Sequence, residues 1–223
     1  MFKRLKKVIR EFDHILLLVG LVFLVASPIW EELIGQGLLW SDVMIIVSLI
    51  AGLSVTYTHR KQTVTHEQYF GFIVILITVL NSFIGFGIQF ENITHYAQVL
   101  FFLLLTITMF KLIIKAKTVD AEVVINSISG YLLMGLSWAI LIGIWIGAFP
   151  GSFNFGGTQT NEFFDAMYYA FVTMTTLGYG DMLPVSMAAK SFGMLISVTG
   201  AFYTTIVLGM IVGKYISNQN LNK

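Results

Sequence analysis

The sequence predicts an all-α membrane protein with six transmembrane helices and, between the fifth and sixth, a shorter apolar helix that enters the membrane and turns back. Three observations predict it. Hydrophobic residues make up 57% of the chain and charged ones 11%, with a mean hydropathy of +0.82, which leaves too little polar surface to face water. Six runs approach or exceed the roughly 20 apolar residues needed to cross a hydrocarbon core of about 30 Å. Twelve of the thirteen Lys and Arg residues fall on one side if those runs alternate direction, as short cytoplasmic loops require.

Residues 1–13 come first and read as a basic amphipathic segment. Phe2, Leu5, Ile9 and Phe12 share one side, and Lys3, Arg4, Lys6, Lys7 and Arg10 suit an anionic inner leaflet. The expected spans are 14–34, 38–57, 69–90, 96–114, 127–149 and 186–214. Although Ala26 and Ser27 supply small residues of the kind a signal peptidase uses, the first apolar run is too long for a signal core. Arg60 and Lys61 follow the second span, Lys111, Lys115 and Lys117 end the fourth, and Lys214 and Lys223 follow the sixth. Only Lys190 lies opposite, so both termini are expected in the cytoplasm and the chain in the cell membrane. About ten residues follow the last expected span, so a regulatory domain of roughly 100 residues is not expected within these 223 residues.

The fourth span carries no basic residue from Tyr96 to Phe110. A helix that responds to membrane voltage needs several, because each charge moved through 100 mV supplies about 2.3 kcal/mol. The three lysines at its end read as interfacial anchors. Asn81 and Gln89, both placed in the third span, read as makers of interhelical hydrogen bonds. Cysteine is absent, which removes disulfides and thiolate chemistry. No nucleophile–base pair or metal-ligand spacing is visible among His14, His59, His66 and His95, so an enzyme is the weakest reading. The sequon at Asn92 lies too close to the membrane to favour glycosylation.

Residues 161–181 cannot span, and an irregular segment at membrane depth must be wrapped in protein or line water. Thr160 or Asn161 is a candidate N-cap, Glu162 and Asp165 complement the first turn, and apolar residues continue to Met174. Then comes Thr175, Thr176, Leu177, Gly178, Tyr179, Gly180, Asp181. Glycine at alternate positions permits left-handed backbone, so successive carbonyls can turn to one side. The half-helix also directs its negative end toward the same place, which favours a cation.

The run Thr173 to Met182 resembles the signature of the voltage-gated-like potassium channel superfamily, with Leu177 where that family carries Val or Ile. The resemblance is strong over residues 127–217 and only in outline over the first four helices. It implies a selectivity filter of Thr176, Leu177, Gly178, Tyr179 and Gly180, in which the carbonyls of Thr176, Leu177, Gly178 and Tyr179, with the Thr176 hydroxyl, bind K+. Thr175, Asp181, Tyr168 and Tyr169 would support the filter; the two tyrosines stand where many relatives carry tryptophan. Gly200 aligns with the family's hinge glycine, with Gly209 and Gly213 as further hinge candidates. The implied arrangement has 1–13 as a cytoplasmic segment, 14–117 as a four-helix voltage-sensor-like domain without gating charges, and 118–223 as the pore domain. One pore loop per chain implies a homotetramer among membrane lipids, with K+ ions in the filter and no other cofactor. The compact chain has the look of prokaryotic members. Two rivals are a non-selective cation channel, which would differ mainly at Tyr179, and a potassium uptake transporter, which would join four pore loops in one chain.

Overall fold

The computed structural model describes residues 2–34, 40–59, 66–84, 87–116, 118–156 and 162–221. In chain order these form α1 (Phe2–Val25), α2 (Ser27–Ile34), α3 (Trp40–His59), α4 (His66–Ile84), α5 (Ile88–Lys115) and α6 (Ala121–Ala148), followed by β1 (Phe153–Asn154), α7 (Glu162–Met174), β2 (Leu183–Pro184) and α8 (Met187–Leu221). They divide into two compact units, Met1–Leu133 and Met134–Lys223, with the division inside α6. The candidate cap at Thr160 or Asn161 lies outside the described residues, as do Arg60, Lys61, Lys117 and Lys223.

Where helix boundaries differ from those expected, local chemistry explains the difference. The expected first span, 14–34, is instead two helices, and α1 begins at Phe2 with no break near residue 13. Pro28 has no N–H to bond the carbonyl of Leu24 four residues back, and the Ser27 hydroxyl takes that carbonyl at 2.7 Å. Proline then sits in the first turn of α2, where a missing donor costs nothing. The expected third span, 69–90, is α4, which ends at Ile84, and Gly87, with φ of 96°, begins α5. That left-handed conformation is one glycine adopts freely. Gln89 therefore belongs to α5 and not to the third span. α6 starts six residues before the expected 127, because the Asp120 carboxylate accepts the Val123 N–H at 3.1 Å and caps the helix. α8 continues to Leu221, past the expected 214.

In the first unit, α1 packs on α3, α3 on α4 and α4 on α5. Leu17, Leu21 and Leu24 of α1, Leu49 and Val55 of α3, Val74 of α4, and Phe101, Phe102, Leu105, Met109 and Ile113 of α5 are buried. Gly71 lets α4 approach closely: a Cβ there would meet the Phe101 ring at 2.7 Å and Leu53 at 2.9 Å. Gln98 of α5 donates from Nε2 to the Thr78 hydroxyl of α4 at 3.2 Å, both side chains buried. The buried His14 lies with Nε2 3.5 Å from Oε1 of Glu122. Outward, Ile15, Val19 and Val22 of α1 and Tyr69, Phe72, Ile73 and Leu76 of α4 are exposed. A bundle that buries hydrogen-bonded polar groups and turns such apolar faces outward is built for lipid.

Among the described residues three helical segments are long and apolar enough to cross a membrane, Asn92–Lys115, Ala121–Ala148 and Met187–Ser217. Phe12–Val25 and Val43–Thr56 are shorter apolar stretches. In the second unit α7 packs on α8, and β1 pairs antiparallel with β2, Phe153 opposite Pro184 and Asn154 opposite Leu183.

Candidate functional site

α7 is a thirteen-residue helix with Glu162 and Asp165 in its first turn, where carboxylates complement the positive end of the helix dipole. It buries Ala166, Met167, Tyr169, Ala170 and Met174. Its seat is built from glycines. A Cβ at Gly135 of α6 would come within 2.5 Å of the Phe171 ring, one at Gly193 of α8 within 2.6 Å of the Tyr169 hydroxyl, and one at Gly200 within 2.4 Å of the Met174 carbonyl oxygen.

The chain leaves α7 through a turn that returns its amides to the helix end. Thr175 N–H bonds the Phe171 carbonyl at 2.9 Å, Thr176 N–H the Thr173 carbonyl at 3.1 Å, and the N–H groups of Leu177 and Gly178 share the Val172 carbonyl at 3.0 and 3.2 Å. The Thr175 hydroxyl also bonds the Phe171 carbonyl, at 2.7 Å. With the donors so engaged, the segment's carbonyls are left over. Among the described residues no loop or cap backbone hydrogen bond ends on a carbonyl from Thr176 to Gly180.

Backbone dihedrals set this segment apart. Thr176 (φ 62°), Gly178 (φ 55°) and Gly180 (φ 79°) are left-handed at alternate positions, and Thr176 is the one non-glycine with positive φ among the described residues. For a β-branched residue this conformation is strained, and such strain gathers at functional sites. Alternation of handedness cancels the usual reversal of successive peptide planes, so neighbouring carbonyls can face one way. Every residue from Thr175 to Asp181 is exposed.

Two devices hold the far end of the segment. The Tyr168 hydroxyl donates to Asp181 Oδ2 at 2.6 Å. That bond holds the Asp181 carboxyl below the ordinary carboxylate range and pushes Tyr168 up to about 12. The second device is the β1–β2 pair, which the sequence reading did not anticipate. The Ser152 carbonyl accepts the N–H groups of Val185 and Ser186 at 2.9 and 3.2 Å, and Gly156, at φ 67°, lies so near the Asp181 carbonyl that a Cβ would stand 2.9 Å from its oxygen. Phe153 of β1 meets Tyr169 edge-on, with ring centroids 5.1 Å apart. The signal was present in the flanking Gly151 and Gly156 and in Pro184, but two-residue strands have no periodicity to read.

Thus Tyr168 and Asp181 are brought together, and Tyr169 is packed between β1 and α8. The Tyr179 side chain is 67% exposed and Leu177 55%, so neither is braced within its own chain. α8 runs unbroken through Gly200, Gly209 and Gly213. Gly200 lies against Met174, whereas a Cβ at Gly209 or Gly213 would meet no atom of this chain within 4 Å. Thr199 accepts a hydrogen bond from the Trp138 indole at 3.1 Å, which fixes that face of α8 against α6.

Residues 130–217 match the family model for ion channels. The chain is similar to the potassium voltage-gated channel protein Shal of Drosophila melanogaster, 36% identical over 98 residues, which cover 42% of this chain and 17% of that one. The two-pore potassium channel 4 of Arabidopsis thaliana is 36% identical over 66 residues, 30% of this chain and 23% of that one. An A-type voltage-gated potassium channel of Rattus norvegicus is 34% identical over 101 residues, 42% of this chain and 15% of that one. The matched stretches thus span less than a quarter of each relative's length, and all three relatives are channels.

Proposed function

Taking as premise that residues 130–217 are an ion channel domain of the voltage-gated-like potassium channel superfamily, we propose that the chain is one subunit of a homotetrameric, K+-selective pore. Four copies of residues 175–181 around one axis stack rings of main-chain oxygen from Thr176, Leu177, Gly178 and Tyr179, with the Thr176 hydroxyl at the inner end and Gly180 completing the backbone turn. A K+ ion exchanges hydration oxygens for these carbonyls, and adjacent occupied sites repel one another's ions onward. The negative ends of four α7 helices face the cavity and favour the cation before it enters. Leu177 in place of Val or Ile leaves this main-chain chemistry unchanged.

The observation that carries this reading is the alternation of left-handed residues at Thr176, Gly178 and Gly180, directly after a half-helix whose terminal carbonyls hold the segment's amides. Residues 1–13, 14–117 and 118–223 are the cytoplasmic segment, the sensor-like domain and the pore domain, with six spans and both termini cytoplasmic. Among the described residues of α5 no Lys, Arg, Asp or Glu is buried, so conduction depends little on voltage. Thr175, Tyr168, Tyr169 and Asp181 support the filter. The test is purified protein in liposomes loaded with K+: the reading expects K+ efflux that Na+ does not replace, and light scattering of the detergent-solubilised protein at the mass of four chains. Equal K+ and Na+ flux would favour a non-selective cation pore, and a monomeric mass would end the proposal.

A further inference from the structure

Two glycines on one face of a membrane-spanning helix call for a reason, because glycine is a poor helix former. Gly193 and Gly200 are seven residues apart, about two helical turns, and so share a face of α8. Both meet α7. At Gly200 a side chain would collide with backbone, the Met174 carbonyl oxygen at 2.4 Å and carbon at 3.1 Å, as well as with Met174 Cγ at 2.5 Å. At Gly193 it would collide with the Tyr169 hydroxyl at 2.6 Å. The two contacts address opposite ends of residues 175–181. Met174 immediately precedes Thr175, while Tyr169 packs on Phe153 of β1, which pairs with β2 just after Asp181, and neighbours Tyr168, which holds Asp181 itself.

We propose that Gly193 and Gly200 are positioning residues for the filter. Bare of side chains, they let α8 lie directly on the pore helix, so that α8 from Met187 to Gly200 and residues 162–181 form one rigid piece. Gly200 is then a docking point and not a hinge, and any bend of α8 lies beyond it, toward Gly209 and Gly213. Tyrosine at 169 makes the Gly193 contact specific, since its hydroxyl occupies the space a Cβ would need. The proposal rests on the pore reading above.

The test compares thermal unfolding of the full-length tetramer in K+ and in Na+, because ion binding to the native filter alone raises the melting temperature. Wild type should melt higher in K+. Gly193→Ala should lose that K+-dependent shift, and Gly193→Ala combined with Tyr169→Phe, which removes the obstructing oxygen, should regain it. In bilayers the single variant should lose about tenfold in K+ over Na+ permeability, the consequence of modest overpacking, and the double variant should recover. Gly200→Ala, facing backbone, should lose the shift with no such rescue by Tyr169→Phe, and Gly209→Ala should keep it. A Gly193→Ala protein indistinguishable from wild type would overturn the proposal. So would one that melts lower in both salts with the K+ shift intact, because that is a packing role alone. Should Gly193→Ala fail to assemble, restored assembly with a K+ shift in the double variant supports the proposal and a second failure overturns it. A wild-type tetramer stabilised equally by both ions would overturn the pore reading and this proposal with it.

Discussion

Two of the relatives are voltage-gated, and the voltage dependence proposed for this chain can be worked through quantitatively. The side of α5 that faces its bundle carries Thr94, Gln98, Phe101, Phe102, Leu105, Met109 and Ile113, all buried and uncharged. Lys111 is exposed near the helix end, and Lys115 lies in the last turn. A charge crossing the whole field contributes about 2.3 kcal/mol per 100 mV. If Lys111 in each of four subunits moved through a tenth of the field, the sum would be about 0.9 kcal/mol per 100 mV, short of the roughly 1.4 kcal/mol that changes an equilibrium tenfold. Open probability, recorded in planar bilayers under voltage steps, should therefore change less than tenfold over 100 mV. Lys111→Gln should change the curve by less than that same factor. A steeper curve that Lys111→Gln flattens would refute the reasoning, for it would show a lysine at the edge of the bundle moving through most of the field.

Gly178→Ala forces a side chain onto a φ of 55° at a cost of about 1–2 kcal/mol per subunit; K+ flux from liposomes should fall below detection while the tetramer still elutes intact. Tyr168→Phe removes the donor to Asp181, so currents should decay faster under sustained opening, and Tyr168→Trp should slow or alter that decay; an unchanged decay in both would dissociate the bond from filter stability. Asp181 has a lowered pKa, so the stability it contributes is present above the ordinary carboxylate value of 3.8 and is lost as pH falls through its folded value. Tyr168 has a raised pKa, so its contribution is complete below 10.0 and is lost as pH rises through about 12. Decay rates should therefore be flat between those limits and rise outside them. Phe101, 1% exposed and packed beside Gly71, should cost about 3–5 kcal/mol when cut to alanine, read as a lower unfolding temperature of the first unit.

Much of this arrangement can be read in residue order alone. The half-helix and the irregular segment after it announce themselves through a short apolar run, two glycines at alternate positions and acidic residues at the helix start. The Tyr168 to Asp181 bond follows from reach, since a phenol can meet a carboxylate wherever the chain doubles back. Boundaries were harder, although their causes are local: Pro28 divides the first span, Gly87 caps the start of α5 inside the expected third span, and Asp120 starts α6 ahead of its apolar run. Two features had no linear signal. The β1–β2 pair joins residues about thirty apart through strands too short to alternate. The contacts at Gly193 and Gly200 depend on which face of α8 meets α7, and glycine spacing alone fits a hinge, a lipid-facing groove and a docking surface equally well.

The claim on which everything turns is that main-chain oxygens from Thr176 to Tyr179 replace the hydration of K+ and not of Na+. Its most direct test is the reversal potential of the purified protein in planar bilayers with K+ on one side and Na+ on the other. The account predicts a reversal shifted strongly toward the K+ equilibrium potential, and no measurable K+ current in Gly178→Ala. A reversal near zero in the wild-type protein would contradict it.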